Sequence, residues 1–153
     1  MKNKRGQFYL VATIIIVALV VSISVVFNYS TRTNYYNIEK IAKEVGIEGE
    51  KVMDYDMMHS TNQFDNDFSK VYSAYAGDKD IYFIIVDEGN SIREAYKYTN
   101  GMKVDLSSNL NVGSGNIKFT LDSKDYNFKL AQGKNFYYVV IYDKGGERYV
   151  YTG

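Results

Sequence analysis

Cysteine, proline and tryptophan are absent from this 153-residue chain, and histidine occurs once. The lack of cysteine excludes disulfides, a thiol nucleophile and the usual thiolate zinc sites, while leaving the cellular compartment open. The lack of proline excludes a proline-rich linker. The single histidine, His59, falls short of the three or four ligands a stable metal site needs, even with Asp56 three residues earlier. It would also have to serve Ser107, Ser108, Ser114 and Ser123 alone as a catalytic base, so the chain is read as a non-enzyme with no metal and no cofactor. Neither sign of charge is in excess. The 18 basic and 18 acidic residues balance, and no concentrated basic face points to nucleic acid.

The balance conceals an asymmetry. Lys2, Lys4 and Arg5 crowd the start, and no further charge follows until Arg32. Between them, residues 8–27 (FYLVATIIIVALVVSISVVF) are polar only at Thr13, Ser22 and Ser24. A helix of about 20 such residues matches the ~30 Å hydrocarbon core of a bilayer. Ser and Thr are tolerated there because their hydroxyls bond back to helix carbonyls. The cations before the apolar run place the N-terminus in the cytoplasm and the C-terminal domain outside, as a single pass through the cell membrane. A cleaved secretory signal fits less well. Its apolar region is ~7–15 residues long and ends in small residues, whereas bulky Val25, Val26 and Phe27 close this one.

Lys4-Arg5-Gly6-Gln7 ahead of an apolar run resembles the class III signal peptide of archaeal type IV pilin-like proteins. The resemblance covers about the first 25 residues. It implies cleavage between Gly6 and Gln7 by a prepilin peptidase, retention of the helix, and assembly of identical subunits into an extracellular filament. It would place the helix contacts at Phe8, Leu10, Val11, Ile14, Ile15, Val17, Ala18, Leu19 and Ser22. Val11 stands at mature position five, where many members carry a glutamate that pairs with a neighbour's amino terminus. The alternative is an uncleaved signal-anchor whose β domain binds a partner, a surface layer or a glycan.

Helical spacing continues through Tyr35, Ile38, Ile41, Ala42 and Val45, with Glu39 and Lys43 set for an i,i+4 pair. Gly46 and Gly49 read as its end. Ser60-Thr61-Asn62-Gln63 fits a capping box, opening a helix with Phe64, Phe68, Val71, Tyr72 and Tyr75 on one apolar stripe and Gly77 as its stop. Residues 81–86 (IYFIIV) and 136–142 (FYYVVIY) suit strands buried on both faces. Residues 117–121 and 126–130 alternate as amphipathic strands joined at Ser123-Lys124-Asp125, and Gly145-Gly146 marks a second hairpin before an edge strand. Residues 92–106 are ambiguous, and residues 109–116 read as a flexible loop.

These signals predict an α+β fold: a long N-terminal transmembrane helix continuing into a stalk, then a helix packed on an antiparallel β-sheet. The expected organisation is a basic leader (1–6), a transmembrane helix (7–27), a helical stalk (28–46) and an extracytoplasmic α+β domain (47–153). Tyrosine is abundant, at 16 residues. Because its ring is amphipathic and rotamer-poor, Tyr96, Tyr98, Tyr149 and Tyr151 are candidates for a binding surface.

Overall fold

The computed structural model describes the backbone of residues 4–89 and 91–153, and the side chains of these apart from residues 4–8, 26–36 and 66. The chain divides after Asn37 into two compact units. Helix α1, Lys4–His59, begins in the first and contributes its last turns to the second.

In the first unit, residues 9–25 are helical and carry only apolar or hydroxyl side chains. The expected transmembrane helix is corrected here: among the described residues, no helix is long and apolar enough to cross a membrane. Lys2 lies outside the described residues, as do the side chains of Lys4, Arg5, Gln7 and Phe8 and those of residues 28–36 of the proposed stalk.

The second unit has three layers. Helix α1 from Ile38 onward, a five-residue π-helical turn Phe64–Phe68 and helix α2 (Ser69–Tyr75) form the first. The second is an antiparallel sheet containing β1 (Asp80–Asp87), β2 (Ile92–Thr99), β3 (Met102–Asp105), β7 (Lys134–Lys144) and β8 (Glu147–Thr152), in the order β3-β2-β1-β7-β8. The third is a smaller sheet of β4 (Leu110–Val112), β5 (Asn116–Leu121) and β6 (Lys124–Lys129).

Strand alternation sorts the side chains into two cores. Ile81, Phe83 and Ile85 of β1 join Tyr138, Val140 and Tyr142 of β7 against Ile38, Ala42, Val45, Met53, Phe64 and Phe68. Tyr82, Ile84, Val86, Val139 and Ile141 face the other way, onto Ile117 and Phe119. Both central strands are therefore apolar at successive positions, as a strand buried on two faces requires. Each fully buried Phe or Ile contributes roughly 1.5–3 kcal/mol.

Several local expectations change. Gly46 and Gly49 do not end α1; they lie where it meets β7. A Cβ on Gly46 would approach Tyr138 Oη to 2.8 Å, and one on Gly49 would approach Phe136 Cε1 to 2.5 Å. The capping box does not form. Ser60 adopts a positive φ of 53°, and the cap comes instead from Asp56, eight residues before Phe64. The α2 stripe is shorter than expected, since Val71 and Tyr75 are exposed. Residues 92–105 form a hairpin through Asn100-Gly101, both with positive φ. The β5–β6 turn is Asp122-Ser123, one residue earlier than read. Residues 110–112 are not loop but strand β4.

Candidate functional site

The apolar N-terminal helix is the first candidate. All bulky described side chains of residues 9–25 are 53–70% exposed, among them Leu10, Val11, Ile14, Ile15, Val17 and Leu19. Its Ser and Thr hydroxyls bond inward: Thr13 Oγ1 donates to Tyr9 O (2.9 Å), Ser22 Oγ to Ala18 O (2.7 Å) and Ser24 Oγ to Val20 O (2.9 Å). Each bond closes on the helix's own turn, the arrangement that makes a hydroxyl compatible with apolar surroundings. Ala18 and Ser22, four apart, form a small patch on one face, which permits close approach of a second helix.

The four candidate tyrosines are not gathered. β2 and β8 are separated by β1 and β7, so Tyr96 and Tyr98 lie about 14 Å or more from Tyr149 and Tyr151. Tyr96 is withdrawn from any surface. It is fully buried, stacks on Phe83 (centroids 5.6 Å apart) and shares a hydrogen bond with Ser69 Oγ (2.9 Å). Burial pushes its phenol well above the usual tyrosine range. The reason is register: the even positions of β2 face the helix layer. Tyr98 is half-buried and donates to Asp65 O (2.8 Å); Tyr149, also half-buried, donates to Glu147. Tyr151 packs at the margin of the helix-side core.

A cleft of about 360 Å³ lies between α2 and the β2–β3 turn, lined by Lys70, Ser73, Lys79, Asp80, Tyr98 and Asn100 among others. Its charges are largely matched already, Lys79 to Asp78 (2.8 Å) and Asp80 to Lys97 (3.1 Å). His59 stacks on Tyr55, with Nδ1 3.0 Å from Tyr55 O. Among the described residues no group of acids and histidines is placed to hold a metal ion.

Asp56, weighed in the sequence only as a partner for His59, turns out to be a cap. It is buried, and its Oδ1 accepts from Thr61 Oγ1 (2.5 Å) and Gln63 N (3.0 Å) while Oδ2 accepts from Phe64 N (2.8 Å). Burial raises its pKa, but these three bonds and the Lys134 charge outweigh that and hold the carboxyl below its ordinary value. No spacing rule marks it, because the cap comes from the preceding helix.

Compared with family models, curated proteins and solved structures, the chain matches none.

Proposed function

We propose that this protein is a structural subunit of a cell-surface assembly, pilin-like in plan, held at a membrane and assembling through its apolar N-terminal helix. One observation carries the reading: residues 9–25 expose apolar side chains around the helix while the hydroxyls of Thr13, Ser22 and Ser24 bond back to its own backbone. At ~25 cal/mol per Å², leaving such a surface in water costs far more than an ordinary exposed residue does, so the helix needs apolar cover. Neighbouring identical helices supply it, with Ala18 and Ser22 at the closest approach. The layered domain from Ile38 onward is then the part presented outward.

A second reading, a permanently anchored binding module, is favoured by Val11 and by the absence of any carboxylate in residues 9–25 that would pair with a neighbour's amine. Mass spectrometry of the native N-terminus separates the two. A chain beginning at Gln7, together with filaments by electron microscopy, supports the subunit; an intact Met1-Lys2 start without filaments supports the anchor and sinks the first reading.

A further inference from the structure

The five-stranded sheet ends on β8, whose backbone groups point alternately toward β7 and away from it. Gly145-Gly146 is a two-residue turn, which closes on a hydrogen-bonded Lys144–Glu147 pair. At the far end Tyr138 and Gly153 exchange both backbone bonds, Tyr138 N to Gly153 O at 2.9 Å and Gly153 N to Tyr138 O at 3.2 Å. Hydrogen-bonded pairs recur every second residue in an antiparallel ladder. Glu147, Tyr149 and Tyr151 therefore turn their backbone groups toward β7. Arg148, Val150 and Thr152 turn theirs outward, where β8 has no strand neighbour among the described residues.

This edge is less guarded than the others. β3 at the opposite margin has only four residues, two of them charged, Lys103 and Asp105. β4 has three residues, and β6 carries charges at Lys124, Asp125 and Lys129. Proteins usually blunt an edge with shortness, charge, proline or a bulge. The charges of β8 sit at its turn end only. Arg148 is held away from the edge by a two-toothed bond to Asp143 (2.8 and 2.9 Å) and by Asp122 (2.9 Å).

We propose that the free edge of β8 pairs antiparallel with β8 of a second copy, about a two-fold axis at Val150, continuing the sheet across both molecules. The sequence of the strand is self-complementary in that register. Val150 faces Val150, Tyr149 faces Tyr151 in both directions, and Arg148, already neutralised, faces Thr152. No like charges oppose one another, and the outward donors and acceptors of one strand meet those of the other, as an isologous contact requires. The inference does not depend on what covers the N-terminal helix.

The test is Val150→Cys in the full chain, which has no other cysteine. Opposed residues of a hydrogen-bonded pair have Cα atoms about 5.5 Å apart, within disulfide reach. Mild oxidation is expected to give a disulfide-linked dimer. Adding Thr152→Pro removes an outward N–H that the β7–β8 ladder does not use. It is expected to cut the yield at least tenfold with the circular dichroism spectrum unchanged. In the unaltered chain, amide exchange at Arg148, Val150 and Thr152 should slow as protein concentration rises. A folded Val150→Cys chain that stays unlinked overturns the proposal. So does a link insensitive to Thr152→Pro, or exchange at these amides that ignores concentration. A dimer held by the N-terminal helices alone would show that last pattern.

Discussion

The Cβ that Gly49 lacks would lie 2.5 Å from Cε1 of Phe136, a residue 87 positions further along the chain. That distance identifies what the glycine does: α1 packs onto β7 at a point where only a hydrogen fits. Elsewhere in a helix, Gly→Ala gains up to ~1 kcal/mol from propensity. Here the ring must move, and overpacking costs about 1–3 kcal/mol. Gly49→Ala is therefore expected to lower stability by roughly 1 kcal/mol, read by urea denaturation. Combining it with Phe136→Leu should recover most of the loss, and simple additivity of the two would refute the packing account.

Asp56 should set part of the acid sensitivity. Its folded pKa lies below the unfolded value of ~3.9. The stability it contributes is thus fully present above ~3.9 and disappears as pH falls through the lower folded value. Asp56→Ala leaves the N–H groups of Gln63 and Phe64 without their acceptor and should cost about 2 kcal/mol at neutral pH. In Asp56→Asn the stability curve between pH 5 and 2 should be flatter than in the parent. Parallel curves for the two proteins would show that the carboxylate is not the cap that matters.

Ser69 Oγ donates to Phe64 O (2.7 Å) and meets Tyr96 Oη (2.9 Å), joining the π-helical turn to β2 inside the core. Ser69→Ala strands the buried Tyr96 hydroxyl and should cost about 1–3 kcal/mol. Tyr96→Phe removes that orphan, so the double variant should be less destabilised than the sum of the singles. A double-mutant cycle with no coupling would contradict the bond.

Alkaline pH should weaken the fold. Burial raises the phenols of Tyr72, Tyr82, Tyr96, Tyr98, Tyr126, Tyr137 and Tyr138 above their ordinary value. A raised folded pKa means stability that is complete below the unfolded value of ~10 and is lost as pH rises past it. Ultraviolet titration should show a class of tyrosines that ionises only on unfolding. Uniform titration of all tyrosines near pH 10 in the folded protein would be inconsistent with this core.

Parts of this architecture are readable from sequence because the physics is local. Residues 81–86 and 136–142 are apolar at every position since both faces of β1 and β7 are covered. Gly145-Gly146 announces its own turn, and the Glu39–Lys43 pair forms as spaced, at 2.7 Å. β2 is harder to read: IREAYKYT mixes charge and ring because Ala95 and Tyr96 alone are buried. Yet Asn100-Gly101 was a usable hairpin signal. Gly46 and Gly49 look like helix stops until Tyr138 and Phe136 are brought against them. Whether a tyrosine is core or surface depends on register, which separates Tyr96 from Tyr149. In the N-terminal helix the apolar composition was legible, whereas a membrane-crossing helix was not borne out among the described residues.

The most direct test of assembly through that helix uses the cysteine-free background. Single cysteines are placed one at a time along residues 9–25 and oxidised in the native cell envelope. The account predicts links between copies that recur every three to four residues, strongest near Ala18 and Ser22. A series with no link at any position, in chains shown to be folded, would contradict it.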